Sequence, residues 1–406
     1  MRWSAPNSAP TDKLFTQELE KFAVKVTCLQ ENLNRAMHLV SNAVNTRSPL
    51  PVLSNVLVST EEGGLKLSAM NQQLAISVWI GASIETQGAT TVQARLLTDF
   101  VGQLPEGTVN MELASDTDEL SVSSGRYRAK MKGIDADEFP PIPEDIAERE
   151  VEMPTELWTE IIDQVVVASA TDDSRPVLAG ICLTLDPKFI ELAAADGYRL
   201  AARRVEVNTG LSESTQIIVP RSAMVELGRI LSDDPGTVTL GLSPNGSSVL
   251  FSTKSVSLVS QLIDGQFPDY AQLIPATENI ETRIVVDTRE FVQATRIAAL
   301  FARSGQNVIK ATIETGDDGD GRITLSANSL DLGENRGEIE GTVVGTDAQI
   351  AFNYRFLTEC LATVQSDRVS LALSGNTSPG LIRLVDKDGE DIPFFDHVIM
   401  PMHTVT

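Results

Sequence analysis

Three cysteines and three histidines in 406 residues leave little material for thiol or metal chemistry. Cys28, Cys182 and Cys360 are odd in number, widely spaced and never paired as C-x-x-C, the pattern of free thiols buried in a reducing cytosol. His38, His397 and His403 show no metal-ligand spacing. Aromatics are scarce at 5%, so valine, isoleucine and leucine must carry the core. No apolar run approaches the ~18–20 residues needed to span a bilayer. The opening MRWSAPNSAPTDKLFTQELE lacks the apolar region of a signal peptide, so residues 1–20 read as a polar extension and the protein is expected to be cytoplasmic, without membrane contact. Gly-rich phosphate loops, H-E-x-x-H, nucleophile elbows and kinase motifs are all missing. The acidic pairs Asp172-Asp173 and Asp233-Asp234 fall at turns and helix ends, where caps and solvated faces are their ordinary use. The expectation is a non-enzyme with no cofactor and no metal.

Positive charge is also in deficit. Lys and Arg total 32 against 56 Asp and Glu, a net charge of −24. That argues against wholesale coating of nucleic acid, since phosphate binding rests on Lys and Arg. It leaves room for one basic surface within an acidic shell.

What the sequence does have is a repeat. RPVLAGICLTLDPKFIELAAADGYRL (Arg175 to Leu200) echoes SPLPVLSNVLVSTEEGGLKLSAMNQQLAISV (Ser48 to Val78). Val52 and Val177 stand 125 residues apart, and so do Asn71 and Asp196. NVIKATIETGDDGDGRITLSANS is a fainter third copy, with Val308 in the Val177 position and an Asp/Gly insertion at Asp317 to Gly321. A period this long is that of a domain rather than a solenoid unit. Three domains suit the length, at about 100–150 residues each. The boundaries fall at 1–20 (extension), 21–148, 149–279 and 280–406.

Each copy follows one plan of strand, helix, strands, second helix and alternating strands. Helical spacing marks Leu29 to Val44, Ala94 to Leu104, Thr155 to Ala170, Ser222 to Asp233, Thr288 to Arg303 and Asn353 to Gln365. Pro154-Thr155 and Pro220-Arg221-Ser222 open two of these helices, and Pro235-Gly236 stops one. DADEFPPIPED and DGQFPDYAQLIPATEN close the first two copies as stiff, proline-restricted connectors. Two helices and roughly eight strands per copy predict an α+β fold, a helix pair covering strands that close one surface.

Basic residues recur on the helices, among them Arg35, Arg95, Arg221, Arg229, Arg289, Arg296, Arg303 and Arg355, with Arg47 and Arg175 in loops before the repeated apolar strand. Salt-bridged helix faces are the plain reading of any one of them. In three equivalent domains they would instead line one wall and suit backbone contact with DNA without sequence reading. The C-terminal HVIMPMHTVT sets Met400 and Met402 around Pro401, either a terminal strand tucked into its sheet or one wall of an adaptable groove.

Six stretches in order resemble bacterial DNA polymerase III β subunits, the sliding clamps: RSPLPVLSNVL, RLLTDFVGQLPEG, ADGYRLA, VPRSAMVELGRIL, LIDGQFPDY and VIMPM. The likeness runs from about Lys21 to Thr404. It implies a head-to-tail homodimer whose six clamp domains form a ring, helices inside and sheets outside. A clamp-loader ATPase would close it around double-stranded, primer–template DNA. It further implies a pocket for linear peptides of the replicative polymerase, other polymerases, the loader and repair proteins. Carried over by position, the pocket comprises Leu178, Gly197, Tyr198, Arg199, Leu200, Pro268, Leu273, Asn353, Phe356, Val398, Ile399, Met400, Pro401 and Met402. DNA contacts fall on Arg47 and Arg175, joined by Arg221, Arg229 and Arg296 of the helices. Ring contacts fall on Met131, Leu300 and Phe301. Ala195, Gln272 and His403-Thr404 depart from the family pattern around the pocket, and Ala129 departs at the seam. The competing expectations are a three-domain peptide-binding adaptor that never encircles DNA and, with no nucleophile–base set to support it, an enzyme.

Overall fold

A computed structural model describes residues 22–45, 48–61, 63–114, 118–143, 150–172, 174–316 and 319–402. The extension expected over residues 1–20 lies outside them. The backbone gathers into two compact units, one of residues up to 69 and 78–140, the other of 70–77 and 141 onward.

The first copy of the repeat supplies β1 (Phe22–Leu29), α1 (Gln30–Ser41), β2 (Asn55–Glu61), β3 (Gly64–Met70), β4 (Leu74–Thr86) and β5 (Ala89–Gln93). It continues with α2 (Ala94–Gln103), β6 (Thr108–Ala114), β7 (Glu119–Ser124) and β8 (Tyr127–Ile134). In α1, Leu33, Met37 and Val40 recur one turn apart and are buried, which is the apolar stripe that holds this helix to its sheet. Gln30 is buried too, and its side-chain amide donates to the carbonyl of Val101 in α2 at 2.8 Å. β1 pairs with β6, β6 with β7 and β7 with β8, all antiparallel.

The second copy runs β9 (Glu150–Pro154), α3 (Thr155–Val166), β10 (Gly180–Leu185), β11 (Phe189–Ala195) and β12 (Arg199–Glu206). After these come β13 (Thr215–Pro220), α4 (Arg221–Ser232), β14 (Thr237–Leu242), β15 (Ser248–Ser252) and β16 (Val256–Gln261). Pro154 and Pro220 stand immediately before α3 and α4, where their fixed φ suits the helix entry. Trp158 of α3 meets Phe251 of β15 edge-on, ring centres 5.7 Å apart, and both are buried.

The third copy runs β17 (Thr282–Asp287), α5 (Thr288–Ala302), β18 (Val308–Thr315), β19 (Asp320–Ser329) and β20 (Gly333–Gly345). It closes with β21 (Ala348–Asn353), α6 (Tyr354–Ala362), β22 (Arg368–Leu373), β23 (Gly380–Val385) and β24 (Phe395–Ile399). Asp287 caps α5 by accepting from the Arg289 and Glu290 amides, and Asn353 caps α6 by accepting from Arg355. Phe291, Phe352, Leu357 and Leu371 centre the core of this copy.

Within the second unit one twelve-stranded sheet runs β13-β10-β11-β12-β24-β23-β22-β17-β20-β19-β18-β21. The last strand of the chain, β24, therefore pairs with β12 of the preceding copy, Arg199 opposite Ile399 and Leu200 opposite Val398. That splice joins the second and third copies through backbone hydrogen bonds. Phe267 of the intervening connector is buried against Cys182, Ile218 and Tyr270, so the joint is anchored as well as proline-stiffened.

The repeat shows itself in hydrogen bonds as well as in letters. Asn71 Oδ1 accepts from the amides of Gln73 and Leu74, and Asp196 Oδ1 accepts from those of Tyr198 and Arg199. Residues 125 apart make the same turn between equivalent strands.

Candidate functional site

The β12–β24 splice opens a cleft of ≈ 950 Å³. One side is the Ala195–Leu200 turn, the next is the connector from Gln272 to Glu281, and the third is Ser374, Ser378, Pro379, Val398 and Met400. Its apolar floor is a cluster of Ala195, Leu200, Ala372, Leu381 and Val398, with Ile274 and Ile280 packed over it. Asp196 shapes the turn, and Gly197, at φ +92°, completes it where a Cβ would strike the Arg175 guanidinium at 2.8 Å.

Of the fourteen residues expected to form a peptide pocket, Gly197, Arg199, Leu200, Leu273, Val398 and Met400 line this cleft. Tyr198 is 63% exposed and stacks on Phe356, centroids 6.4 Å apart, at its margin. Met400 donates its amide to Tyr198 O, and Met402 donates to Ala351 O, which fixes the strand on either side of Pro401. Leu178 packs instead beside Phe267, Pro268 lies exposed in the connector, and the Asn353 side chain is spent on capping α6. Ile399 requires a correction as a lining side chain: it is 0% exposed and belongs to the core of the third copy. Consecutive strand residues face opposite ways, so Val398 floors the cleft and Ile399 turns from it.

Arg199 is the electrostatic centre. Nearly buried, it donates to Asp196 Oδ2 at 3.0 Å and to Glu359 Oε2 at 2.6 Å, and its guanidinium lies 4.5 Å from the Phe356 ring centre. Glu359 was not singled out in the sequence, although its place three residues after Phe356 puts both on one face of α6. Beneath it, His397 is fully buried with neither ring nitrogen bonded among the described residues. Burial, with the Arg199 charge adding to it, pulls its pKa down to about 3. A second brace lies beside the floor. The Tyr270 hydroxyl and Arg204 both donate to Glu191, and burial together with that carboxylate raises the phenol's pKa.

The expected DNA-facing arginines are differently placed. Arg47 lies outside the described residues. Arg175 is exposed but donates to the Asp196 carbonyl at 2.7 Å, which ties it to the cleft margin. Arg221 opens α4, half-buried, its Nε enclosed and unbonded among the described residues. Arg229 is paired with Glu226 at 2.6 Å. Arg296 is exposed and, with Arg289, lines an open groove between α5 and α6.

Among the expected ring contacts, Leu300 is 54% exposed and Phe301 is half-buried against the core. Met131 is 2% exposed, its side chain turned into the first unit's interior, which corrects the expectation that it is offered to a partner. The strand edges are more telling. Among the described residues, β8 pairs with β7 alone from Tyr127 to Lys132, and β20 with β19 alone from Gly333 to Glu340. The first edge carries exposed Arg128, Lys130 and Lys132, the second exposed Glu334, Glu338 and Glu340 around a single exposed Arg336 that pairs with Glu338 at 2.9 Å. Exposed Leu332 sits at the β19–β20 turn, and Asn328 O comes within 2.3 Å of where a Gly305 Cβ would stand, so that turn abuts the end of α5 near Leu300.

Burial pushes the Cys28 and Cys182 thiols up to about 12 and raises Cys360 as well, so all three stay protonated at neutral pH. Among the described residues no cluster of three or more His, Cys, Asp or Glu is arranged to hold a metal, and no helix is long and apolar enough to cross a membrane.

Comparison with known proteins covers almost the whole described chain. Family profiles of the DNA polymerase III beta subunit match in order: the N-terminal domain at residues 24–143, the central domain at 152–269 and the C-terminal domain at 271–403. The beta sliding clamp of Synechococcus elongatus is 32% identical over 361 residues, covering 88% of this chain and 94% of that protein. That of Bacillus subtilis is 28% identical over 370 residues, covering 89% and 96%. The crystal structure of the Bacillus subtilis DNA polymerase sliding clamp superposes with a TM-score of 0.85 at 28% identity, over 94% of this chain and 100% of that one. A Pseudomonas aeruginosa sliding clamp bound to griselimycin gives 0.83 at 26% identity, over 94% and 100%.

Proposed function

The chain belongs to the bacterial DNA polymerase III beta subunit family, and on that premise we propose that it is a sliding clamp, a processivity factor that encircles duplex DNA and tethers the replicative polymerase. The observation that carries the reading is the run of three family domains, in order, from residue 24 to 403.

The two free strand edges supply a physical route to a ring. Like charges directly opposite each other destabilise a strand pair, so neither edge suits a copy of itself. The basic β8 edge of one copy complements the acidic β20 edge of another, which makes a head-to-tail contact, and two such contacts close a dimer. Exposed Leu300 and Leu332 beside the acidic edge add apolar area to the seam. Retention on DNA is then topological, and a chain of net charge −24 needs only a few loose cationic contacts, with Arg296 and Arg289 the most available. Loose contacts also permit sliding.

The cleft between the second and third copies suits a short extended peptide, with an apolar floor and a few orienting polar groups. Polymerases, a clamp-loader ATPase and repair proteins are the partners this reading assigns to it. Catalysis by the clamp itself has no part in the scheme, and its place of work is the cytoplasm. Negative-stain electron microscopy of the purified protein tests the ring without loader or partner. Closed two-fold rings with a hole wide enough for duplex DNA are expected. Isolated three-lobed crescents at micromolar concentration would favour a monomeric adaptor.

A further inference from the structure

The charge of the cleft specifies the kind of peptide it takes. Arg199 is the one guanidinium that the described residues place in its lining, and that charge is already met by Asp196 and Glu359. The lining also holds Glu278 and Glu281, both exposed and neither bonded to a cation among the described residues. Gln272, neutral, donates its amide to the carboxylate of Asp269. Beside the cleft, Arg175 at the Gly197 margin is engaged with the Asp196 carbonyl, and Arg355 of α6, next to Phe356 in the chain, donates to the Tyr354 hydroxyl. Within the lining, the two charged groups that lack a counter-charge among the described residues are Glu278 and Glu281, and both are acidic.

Resting on the reading of this cleft as the partner-peptide site, we propose that it selects extended peptides with an apolar centre and cationic flanks, and disfavours acidic ones. The apolar centre is dictated by Leu200, Val398, Ile274 and Ile280, and the cationic flanks by Glu278 and Glu281. Exposed ion pairs are individually weak, so the preference between otherwise identical peptides is expected to be about three- to tenfold at low ionic strength. It should shrink with salt, because the screening length falls to about 10 Å at 0.1 M.

Isothermal calorimetry on the full chain decides the matter with two nine-residue peptides sharing a leucine–phenylalanine centre, one flanked by lysines and one by aspartates. The expected result is tighter binding of the lysine peptide at 20 mM salt, a narrower gap at about 0.5 M, and no gap in a Glu278→Gln, Glu281→Gln variant. Equal binding, or tighter binding of the aspartate peptide, overturns the inference and leaves the cleft assignment standing. If neither peptide binds, the cleft assignment fails and takes the inference with it. A Met400→Ala variant separates the cleft from adsorption to an acidic exterior: undiminished lysine-peptide binding there also overturns the proposal.

Discussion

Arg199 and Glu359 stand 160 residues apart in sequence, yet Arg199 Nη1 donates to Glu359 Oε2 at 2.6 Å. The pair pins α6 of the third copy to the turn of the second and holds the guanidinium over Phe356, on whose ring Tyr198 stacks. Removing one partner of a buried pair costs ~3–5 kcal/mol, but Glu359 is half exposed and Asp196 still holds Arg199. Glu359→Ala is therefore expected to cost about 1–2 kcal/mol of stability. Peptide affinity should fall several-fold because the Phe356 platform loosens. Urea unfolding and calorimetry check the two effects, and unchanged values of both would show the pair to be idle.

His397 gives the chain a specific acid sensitivity. Its pKa is about 3 when folded and about 6.5 when unfolded. Above pH 6.5 the ring is neutral in both states and stability is unaffected. As pH falls from 6.5 toward 3, only the unfolded chain takes up the proton, and stability declines progressively. His397→Leu replaces two buried nitrogens, unbonded among the described residues, with an apolar side chain and should remove that part of the decline. The urea midpoint of the variant is expected to exceed that of the parent by more at pH 5 than at pH 7. A constant difference would mean that His397 does not titrate between the two states.

Met400 and Met402 flank Pro401 at the mouth of the cleft, and only Met400 is in its lining. Met400→Ala is expected to weaken a cleft peptide by about tenfold, as befits loss of a large contact side chain. Met402→Ala should do less, and neither should alter the sedimentation of the dimer. Calorimetry and analytical ultracentrifugation separate the two readouts.

Much of this was legible beforehand, for identifiable reasons. Pro154 and Pro220 mark helix starts because proline's fixed φ acts locally, and the Asn71/Asp196 match is a turn whose side-chain bonds span three residues. Local physics leaves local traces. The family likeness pointed to Gly197, Arg199, Leu200 and Met400, which line the cleft, but it could not say which neighbours face inward. Ile399 and Met131 alternate with exposed or cleft-facing residues, and a period of two does not name the buried face. The Arg229–Glu226 pair could have been read from its i, i+3 spacing. The Arg199–Glu359 pair depends on the β12–β24 splice, and the tether of Arg175 to Asp196 on two loops of the second copy meeting in space; no local pattern announces either.

The seam admits a charge-swap test. Arg128→Glu with Lys132→Glu makes the β8 edge acidic opposite Glu334 and Glu340, and the dimer is expected to dissociate at least tenfold more readily. Glu334→Lys with Glu340→Lys should do the same alone. Combined in one chain, the four changes restore opposite signs across the seam, and dimerisation should largely return. Recovery measured by analytical ultracentrifugation would be hard to explain by misfolding. A dimer indifferent to all three variants would place the seam elsewhere.

Arginines alike in sequence should differ in their effect on DNA. Arg229 already has a carboxylate at 2.6 Å, so binding phosphate would mean giving up Glu226, whereas exposed Arg296 has no such competitor among the described residues. Each phosphate contact releases counterion and steepens the fall of log affinity with log salt by about 0.9. Arg296→Gln is therefore expected to lower that slope by nearly one contact per protomer, and Arg229→Gln by clearly less, with both variants folding normally because the side chains are exposed. Equilibrium affinity for a short linear duplex, onto which a ring can thread from an end, followed across a salt series, gives both slopes. Equal losses for the two variants would mean that the Glu226 pair opens on DNA at little cost, and no loss for Arg296→Gln would remove the α5–α6 groove from the DNA-facing wall.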